Sequence, residues 1–335
     1  MYLKRTSLPS LGFLLVAISP LTWADDPVYM LQSIGTLGGY SVPHSIDDTG
    51  RISGYSYAGA GANAFHWSAA EGIRNLGTLG GLSYSYDSNI DSMVVGSATV
   101  AGNYQAFVWT PFTNMVALTC FGGPSCNARG VNDSGQVTGY GQLVTGHSRA
   151  FVWSEASGTT QLGTLGGPHS YSTDINQSGQ VTGISYEGRL PRAFLWSEGG
   201  AMQSLGSLDG VASYGKALNN PGHVVGYATD GSSKKAFFWS ADTGMVNLGA
   251  LEGGTNSYAK GINDQDMVVG QSDNGSSNRG FIWTPSAGMK DLNSLVVDNY
   301  GWRIIAALSI NNHGGIAALG KNARGQTHAL LLSPL

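Results

Sequence analysis

The chain has 335 residues, a formal net charge of −4 and only 11% charged residues, beside 50 glycines and 10% aromatics. A strongly basic nucleic-acid footprint is excluded, and an apolar content of 41% argues against wholesale disorder. The glycines have no period of three, which removes a collagen-like fibre.

The first predicted element is an export signal over residues 1–24. Lys4 and Arg5 form a basic start, residues 11–18 are apolar, and Ala24 offers a small-residue cut before Asp25. That apolar run is too short to span a membrane, and no second long run follows. A secreted or periplasmic protein without a transmembrane segment is therefore expected. Losing Lys4 and Arg5 leaves 15 basic and 21 acidic residues.

Residues 25–335 are expected to form one β-propeller domain of seven repeats, each about 43 residues long. Residues 28–37 read as a lone outer strand. Then Ala64-Phe65-His66-Trp67 returns beginning at Ala106, Ala150, Ala193, Ala236 and Gly280, with a decayed seventh copy at Ala329. A second marker, Ile34-Gly35-Thr36-Leu37-Gly38-Gly39, recurs from Leu76, Leu162, Leu205 and Leu248, and more weakly from Leu118 and Leu292. A third marker is the hairpin of residues 131–137, where Asn132, Asp133, Ser134 and Gly135 turn the chain; it recurs at 175–181 and 218–224. In the fourth repeat the strands are expected at 171–176, 180–185, 193–197 and 202–208. Period-two alternation and Gly/Asn/Asp/Ser punctuation agree with that reading. Four short strands per repeat indicate an all-β, seven-bladed propeller with four-stranded blades. The final third-strand copy lacks a fourth strand, and the N-terminal strand is spare. Their pairing would close the ring and remove an exposed edge. The six repeat tryptophans are expected to be blade-to-blade core.

The Ala-Phe-x-Trp strand, the Leu-Gly-x-Leu-Gly-Gly turn and the Ile-Asn-x-x-Gly-x-Val-x-Gly hairpin together resemble the HAF-repeat family of extracellular bacterial proteins. The resemblance covers nearly the whole mature chain and implies a place outside the cytoplasm. It implies no particular chemistry.

Cys120 and Cys126 flank a loop containing Gly122, Gly123 and Pro124, and an oxidising compartment favours a local disulfide between them. No metal or cofactor motif is found. The hairpin residues Asp47, Asp48, Asp133, Asp264 and Asp266 lack the spacing of a calcium loop and read as turn residues.

Candidate functional residues lie at positions that vary between repeats. Counting four residues back from the hairpin Ile or Leu gives Tyr86, Tyr171, Tyr214 and Tyr258, with Val42, Asn127 and Ala306 in the other repeats. Two residues further on stand His44, Arg129, Lys216 and Lys260. His169 and Tyr40 belong to the same connecting loops. The residue before Ala-Phe-x-Trp varies too: Asn63, Gln105, Arg149, Arg192, Lys235, Arg279, His328. One basic, Tyr-lined end and one acidic hairpin end are expected. Tyrosines stack on sugar or aromatic faces, and Arg and Lys hold carboxylate, sulfate or phosphate. The leading reading is a non-catalytic binding or scaffold propeller whose partner is an anionic polysaccharide or a protein. The ligand would lie on Tyr86, Tyr171, Tyr214, Tyr258, Arg129, Lys216 and Lys260. The alternative is a uronate polysaccharide lyase using His44, Arg129, His169 and Tyr171, in which a His, a Tyr and an Arg must converge.

Overall fold

The computed structural model describes residues 27–59, 61–229 and 231–335; the expected export signal lies outside them. The described chain is a seven-bladed propeller of four-stranded antiparallel blades. It begins with β1 (Tyr29–Ser33). Blade 1 is β2 (Ser41–Ile46), β3 (Ile52–Ala58), β4 (Gly61–Ser68) and β5 (Gly72–Asn75). Blade 2 is β6 (Ser83–Ser88), β7 (Val94–Val100), β8 (Asn103–Thr110) and β9 (Asn114–Ala117). Blade 3 is β10 (Gly122–Val131), β11 (Val137–Leu143), β12 (Ser148–Ser154) and β13 (Gly158–Gln161). Blade 4 is β14 (Ser170–Ile175), β15 (Val181–Glu187), β16 (Leu190–Trp196) and β17 (Gln203–Ser204). Blade 5 is β18 (Ala212–Leu218), β19 (Val224–Thr229), β20 (Lys234–Ser240) and β21 (Gly244–Asn247). Blade 6 is β22 (Ser257–Ile262), β23 (Val268–Asp273), β24 (Asn278–Thr284) and β25 (Gly288–Asp291), followed by a short 3-10 turn at Leu292–Ser294. Blade 7 is β26 (Arg303–Ile310), β27 (Ile316–Lys321) and β28 (Thr327–Pro334), with β1 as its outer strand. The spare strand thus closes the ring, Tyr29 opposite Pro334 and Ser33 opposite Leu330.

The fourth strand of blade 4 is shorter than the sequence pattern predicts, two residues rather than seven. Leu205 leaves the strand edge to bury itself, its N–H bonding the Ala193 carbonyl at 2.9 Å, and Gly206 then turns at φ +75°. Other copies of this Leu-Gly turn do the same, as at Leu76, Leu162 and Leu248.

The third-strand Phe is fully buried in blades 1 to 6, and Leu330 takes its place in blade 7. Opposite each Phe stands a second-strand glycine, such as Gly54 opposite Phe65 and Gly226 opposite Phe237. The ring lies over the glycine while the inner strand presses from the other side. A Cβ at Gly226 would come 1.9 Å from the Tyr214 carbonyl oxygen. Blade 7 carries Ala318 there, opposite the smaller Leu330, and its inner strand has a second register shift between Ile304 and Ala306. Gly226→Ala is expected to cost about 2 kcal/mol through overpacking. An unchanged urea midpoint would contradict that. The six tryptophans pack in clusters that join neighbouring blades; Trp67, for example, meets Ile46 of its own blade and Ala329 of blade 7.

Blades are also joined by polar clasps that the repeat pattern does not announce. Ser83 accepts from the Ala64 N–H and donates to the Gly77 carbonyl, at 2.8 and 2.7 Å. Ser41, Ser170, Ser213 and Ser257 make the same pair of bonds, Ser41 across the closing seam. On the hairpin face, Asn89, Asn132, Asn176, Asn219, Asn263 and Asn311 each donate a side-chain N–H to the equivalent backbone carbonyl of the next blade, at 2.8–3.1 Å. Blade 1 breaks this ring with Asp47. Its Oδ1 accepts from the N–H groups of Thr49 and Arg51, but its Oδ2 is buried without a partner. By the register of the other six, that oxygen occupies the place of a donor. Burial pushes the Asp47 carboxyl above its ordinary range. Asp47→Asn is therefore expected to raise stability at pH 7 by about 1 kcal/mol. A lower denaturation midpoint would mean that the carboxylate is already satisfied.

Candidate functional site: a cation cluster in the central channel

The seven inner strands share one irregularity. In each, the ladder skips a residue two positions before the hairpin, as between Pro43 and Ser45 or between Gly215 and Ala217. Such a bulge re-aims one side chain. The skipped residues are His44, Tyr86, Arg129, Thr173, Lys216 and Lys260, with Leu308 in blade 7. All seven line a central cavity of about 240 Å³ that reaches to the hairpin face.

Three permanent or near-permanent cations therefore share one small space. Among the described residues, no carboxylate oxygen lies within 4.0 Å of Arg129, Lys216 or Lys260. Arg129 is positioned by aromatic groups: its guanidinium stands 3.8 Å from the Tyr86 ring centroid and donates to the Tyr140 hydroxyl at 3.0 Å. Lys216 is 5.8 Å from the Tyr227 ring. Burial, then repulsion from Lys260 and Arg129, pushes the Lys216 ammonium down to about 8. Burial lowers Lys260 as well. His44 donates from Nδ1 to the Ser85 carbonyl at 2.7 Å, leaving Nε2 as an acceptor. Burial chiefly holds its pKa at about 4, so the ring is neutral at pH 7.

One position beyond the bulge stand two acids of the same cavity, whose hairpin end is also lined by Asp47, Asp48, Asp133 and Asp264. Asp87 accepts from the Val131 N–H of the next blade, and Asp174 from the Leu218 N–H, both at 2.9 Å. Burial pushes Asp87 up to about 7; burial and the Asp87 charge push Asp174 up to about 8. At pH 7 Asp174 is then mostly protonated and Asp87 about half, so together they offset the three cations only in part.

The tyrosines divide differently from the sequence expectation. Tyr86 does not share a position with Tyr171, Tyr214 and Tyr258. In blade 2 the hairpin residue is Ser88, buried before Asn89, whereas Ile90 is 42% exposed. Tyr84 is therefore the register equivalent of the other three, and Tyr86 belongs to the channel ring. Tyr84, Tyr171, Tyr214 and Tyr258 stand outside the cavity, half-buried in the seams between blades. Their second-strand neighbours Tyr55, Tyr140 and Tyr227 were not singled out by sequence reasoning, although the ladder places them beside the same position of the inner strand.

The residue before Ala-Phe-x-Trp also has a structural use. Arg149 donates to the Pro168 carbonyl, Arg192 to Gly210 and Val211, Lys235 to Thr255 and Gln105 to Leu118. These four side chains staple the connection to the next blade, so in those blades this position is not a free binding surface.

The residues of the lyase alternative fall into two groups. His44 stacks on Tyr86 at 4.9 Å, and Tyr86 carries Arg129. His169 instead stacks on Tyr171 at 6.1 Å, and its Nδ1 accepts from the Ser148 N–H at 3.1 Å. Burial raises the Tyr86 phenol despite Arg129, which keeps it in the un-ionised form near neutrality. Cys120 and Cys126 are joined as a disulfide, with Cα atoms 6.1 Å apart, at the entry to β10. No helix of the described residues is long and apolar enough to cross a membrane.

No protein-family model matches the chain, and no curated protein matches its sequence. Several solved structures resemble it. Virginiamycin B lyase from Staphylococcus aureus has a TM-score of 0.59 at 10% identity, covering 92% of this chain and 100% of that one. The β-propeller domain of the Trilobed protease from Pyrococcus furiosus, which has an open velcro topology, has a TM-score of 0.58 at 9% identity over 88% and 93%. TolB from Acinetobacter baumannii has a TM-score of 0.52 at 13% identity over 85% of this chain; the chain spans 63% of that protein. At such identities the likeness establishes a β-propeller fold and leaves the chemistry to the residues of this chain.

Proposed function

We propose that the protein is an exported, non-catalytic binding propeller that holds an anionic glycan, seating a carboxylate or sulfate on the channel cations. The observation that carries this reading is the cluster Arg129, Lys216 and Lys260, which crowd one cavity without a carboxylate partner. Uncompensated cations cost stability, and an arriving anion offsets that cost with charge-assisted hydrogen bonds. The resemblance to HAF-repeat proteins and the signal-like residues 1–24 support a place outside the cytoplasm. The raised Tyr86 and the separation of the His169–Tyr171 pair from His44 favour binding over elimination chemistry.

Calorimetric titration of the mature protein with oligogalacturonate and with a sulfated heparin-type oligosaccharide tests this. Saturable binding, weakened about tenfold or more in Lys216→Met/Lys260→Met, is expected. Ultraviolet absorbance of unsaturated uronate products should stay flat. A rise that His44→Ala removes would make the protein a lyase, and no binding of either oligosaccharide would overturn the glycan reading.

A further inference from the structure

Three of the seven seams between blades are filled by the same aromatic pair, and the closing seam is among those that are not. Between blades 1 and 2, second-strand Tyr55 meets inner-strand Tyr84 edge to face, with ring centroids 5.0 Å apart. Tyr140 and Tyr171 meet the same way between blades 3 and 4 at 5.0 Å, and Tyr227 and Tyr258 between blades 5 and 6 at 5.1 Å. The corresponding residues of the closing seam between blades 7 and 1 are Leu319 and Val42. Neither carries a ring, and both line a cavity of about 540 Å³.

A second feature falls at the same seam. His328 occupies the position of the stapling Arg149, Arg192 and Lys235. Among the described residues it makes no hydrogen bond to the adjoining loop, and its ring faces the cavity beside Trp302, centroids 5.1 Å apart. Tyr40, stacked on Tyr57 at 4.4 Å and 41% exposed, forms part of the wall. Gln326 and Thr327 add uncharged polar groups. The wall contains no Asp, Glu, Lys or Arg.

We propose that this closing-seam cavity is a binding pocket for an aromatic side chain, a tyrosine-type anchor presented by a protein partner. Three sister seams demonstrate what the space accepts: phenolic rings packed edge to face. The volume lies within the range of ligand pockets, and the mixture of apolar and aromatic walls with a few polar groups suits an amphipathic ring. An uncharged wall selects against carboxylates and ammonium groups. The pocket is separate in residues from the channel cations, so the two readings stand or fall independently.

The test uses N-acetyl-tyrosinamide as the probe and methyl-labelled protein observed by NMR. Saturable shifts at Leu319, Val42 and Thr327 are expected in the millimolar range, retained in Lys216→Met/Lys260→Met. Leu319→Tyr, and separately Val42→Tyr, should remove those shifts while raising the melting temperature by about 2 °C, because each supplies a missing ring. No saturable shift in the wild type would overturn the proposal. So would shifts produced by methyl glucoside and not by the tyrosine probe, which would make this a sugar subsite. Probe binding that persists unchanged in both folded Tyr variants would place the probe elsewhere and also overturn it.

Discussion

Asp87→Asn/Asp174→Asn is expected to be more stable than the wild type by about 2–5 kcal/mol at pH 8.5, and nearly equal to it at pH 4. Both carboxyls sit above their ordinary value of 3.8, at about 7 and about 8, chiefly because burial penalises the charged form. At full strength each gap is worth about 4–6 kcal/mol, and the partial exposure of both side chains cuts this by about half. An acid raised in the folded state contributes stability that is complete below its unfolded value. That contribution is lost as pH climbs through the folded value. His44 and His66, both held near 4 chiefly by burial, act in the opposite sense between about 4 and 6.5. The carboxyl effect therefore stands alone between about 6.5 and 8, where wild-type stability should fall. Asn keeps the acceptor for the Val131 and Leu218 N–H groups and has no charge to gain. Urea midpoints at several pH values read the difference. A wild type flat from pH 6.5 to 8 would mean that the acids ionise normally and form partners for the cations.

Lys216→Met should raise stability at pH 7 by about 1–2 kcal/mol while weakening anion binding. The ammonium titrates at about 8 instead of 10.5, for burial first and for Lys260 and Arg129 second. A base lowered in the folded state costs stability below its folded value, and the cost lifts as pH rises from about 8 to 10.5. Methionine keeps much of the stem's packing and removes the charge. Lys260→Met should also stabilise, but the double variant should gain less than the sum of the singles, because the repulsion between the two is relieved only once. Thermal or urea unfolding of the three variants measures this. A loss of stability on removing Lys216 would mean that the ammonium has a favourable partner.

The fold was legible because every blade must bury the same positions. Phe over Gly and Trp across the seam recur in six blades, and Leu at the turn recurs with them, for the same packing reasons, so register survives in the sequence. The channel was less legible because a β-bulge breaks the period of two. Residues two apart, such as Tyr214 and Lys216, read as sharing a strand face, yet one enters the seam and the other the channel. Blade 2 misled for a related reason. Ile90 looks like the hairpin's apolar residue, but Ser88 is the one buried there. The acids Asp87 and Asp174 were visible only by comparing the residue just before the hairpin, where most blades carry Ser, Gly or Ala. The seam pairs and the stapling cations depend on contacts from one blade to the next, and no local pattern encodes them.

The most direct measurement is an NMR titration of the Lys216 side chain, followed with and without saturating oligogalacturonate. A free-protein value near 8 that rises by about one or more on binding is expected, because a carboxylate in the cavity favours the charged ammonium. A free-protein value near the ordinary 10.5, or one that the bound oligosaccharide leaves unmoved, would contradict an anion-receiving channel.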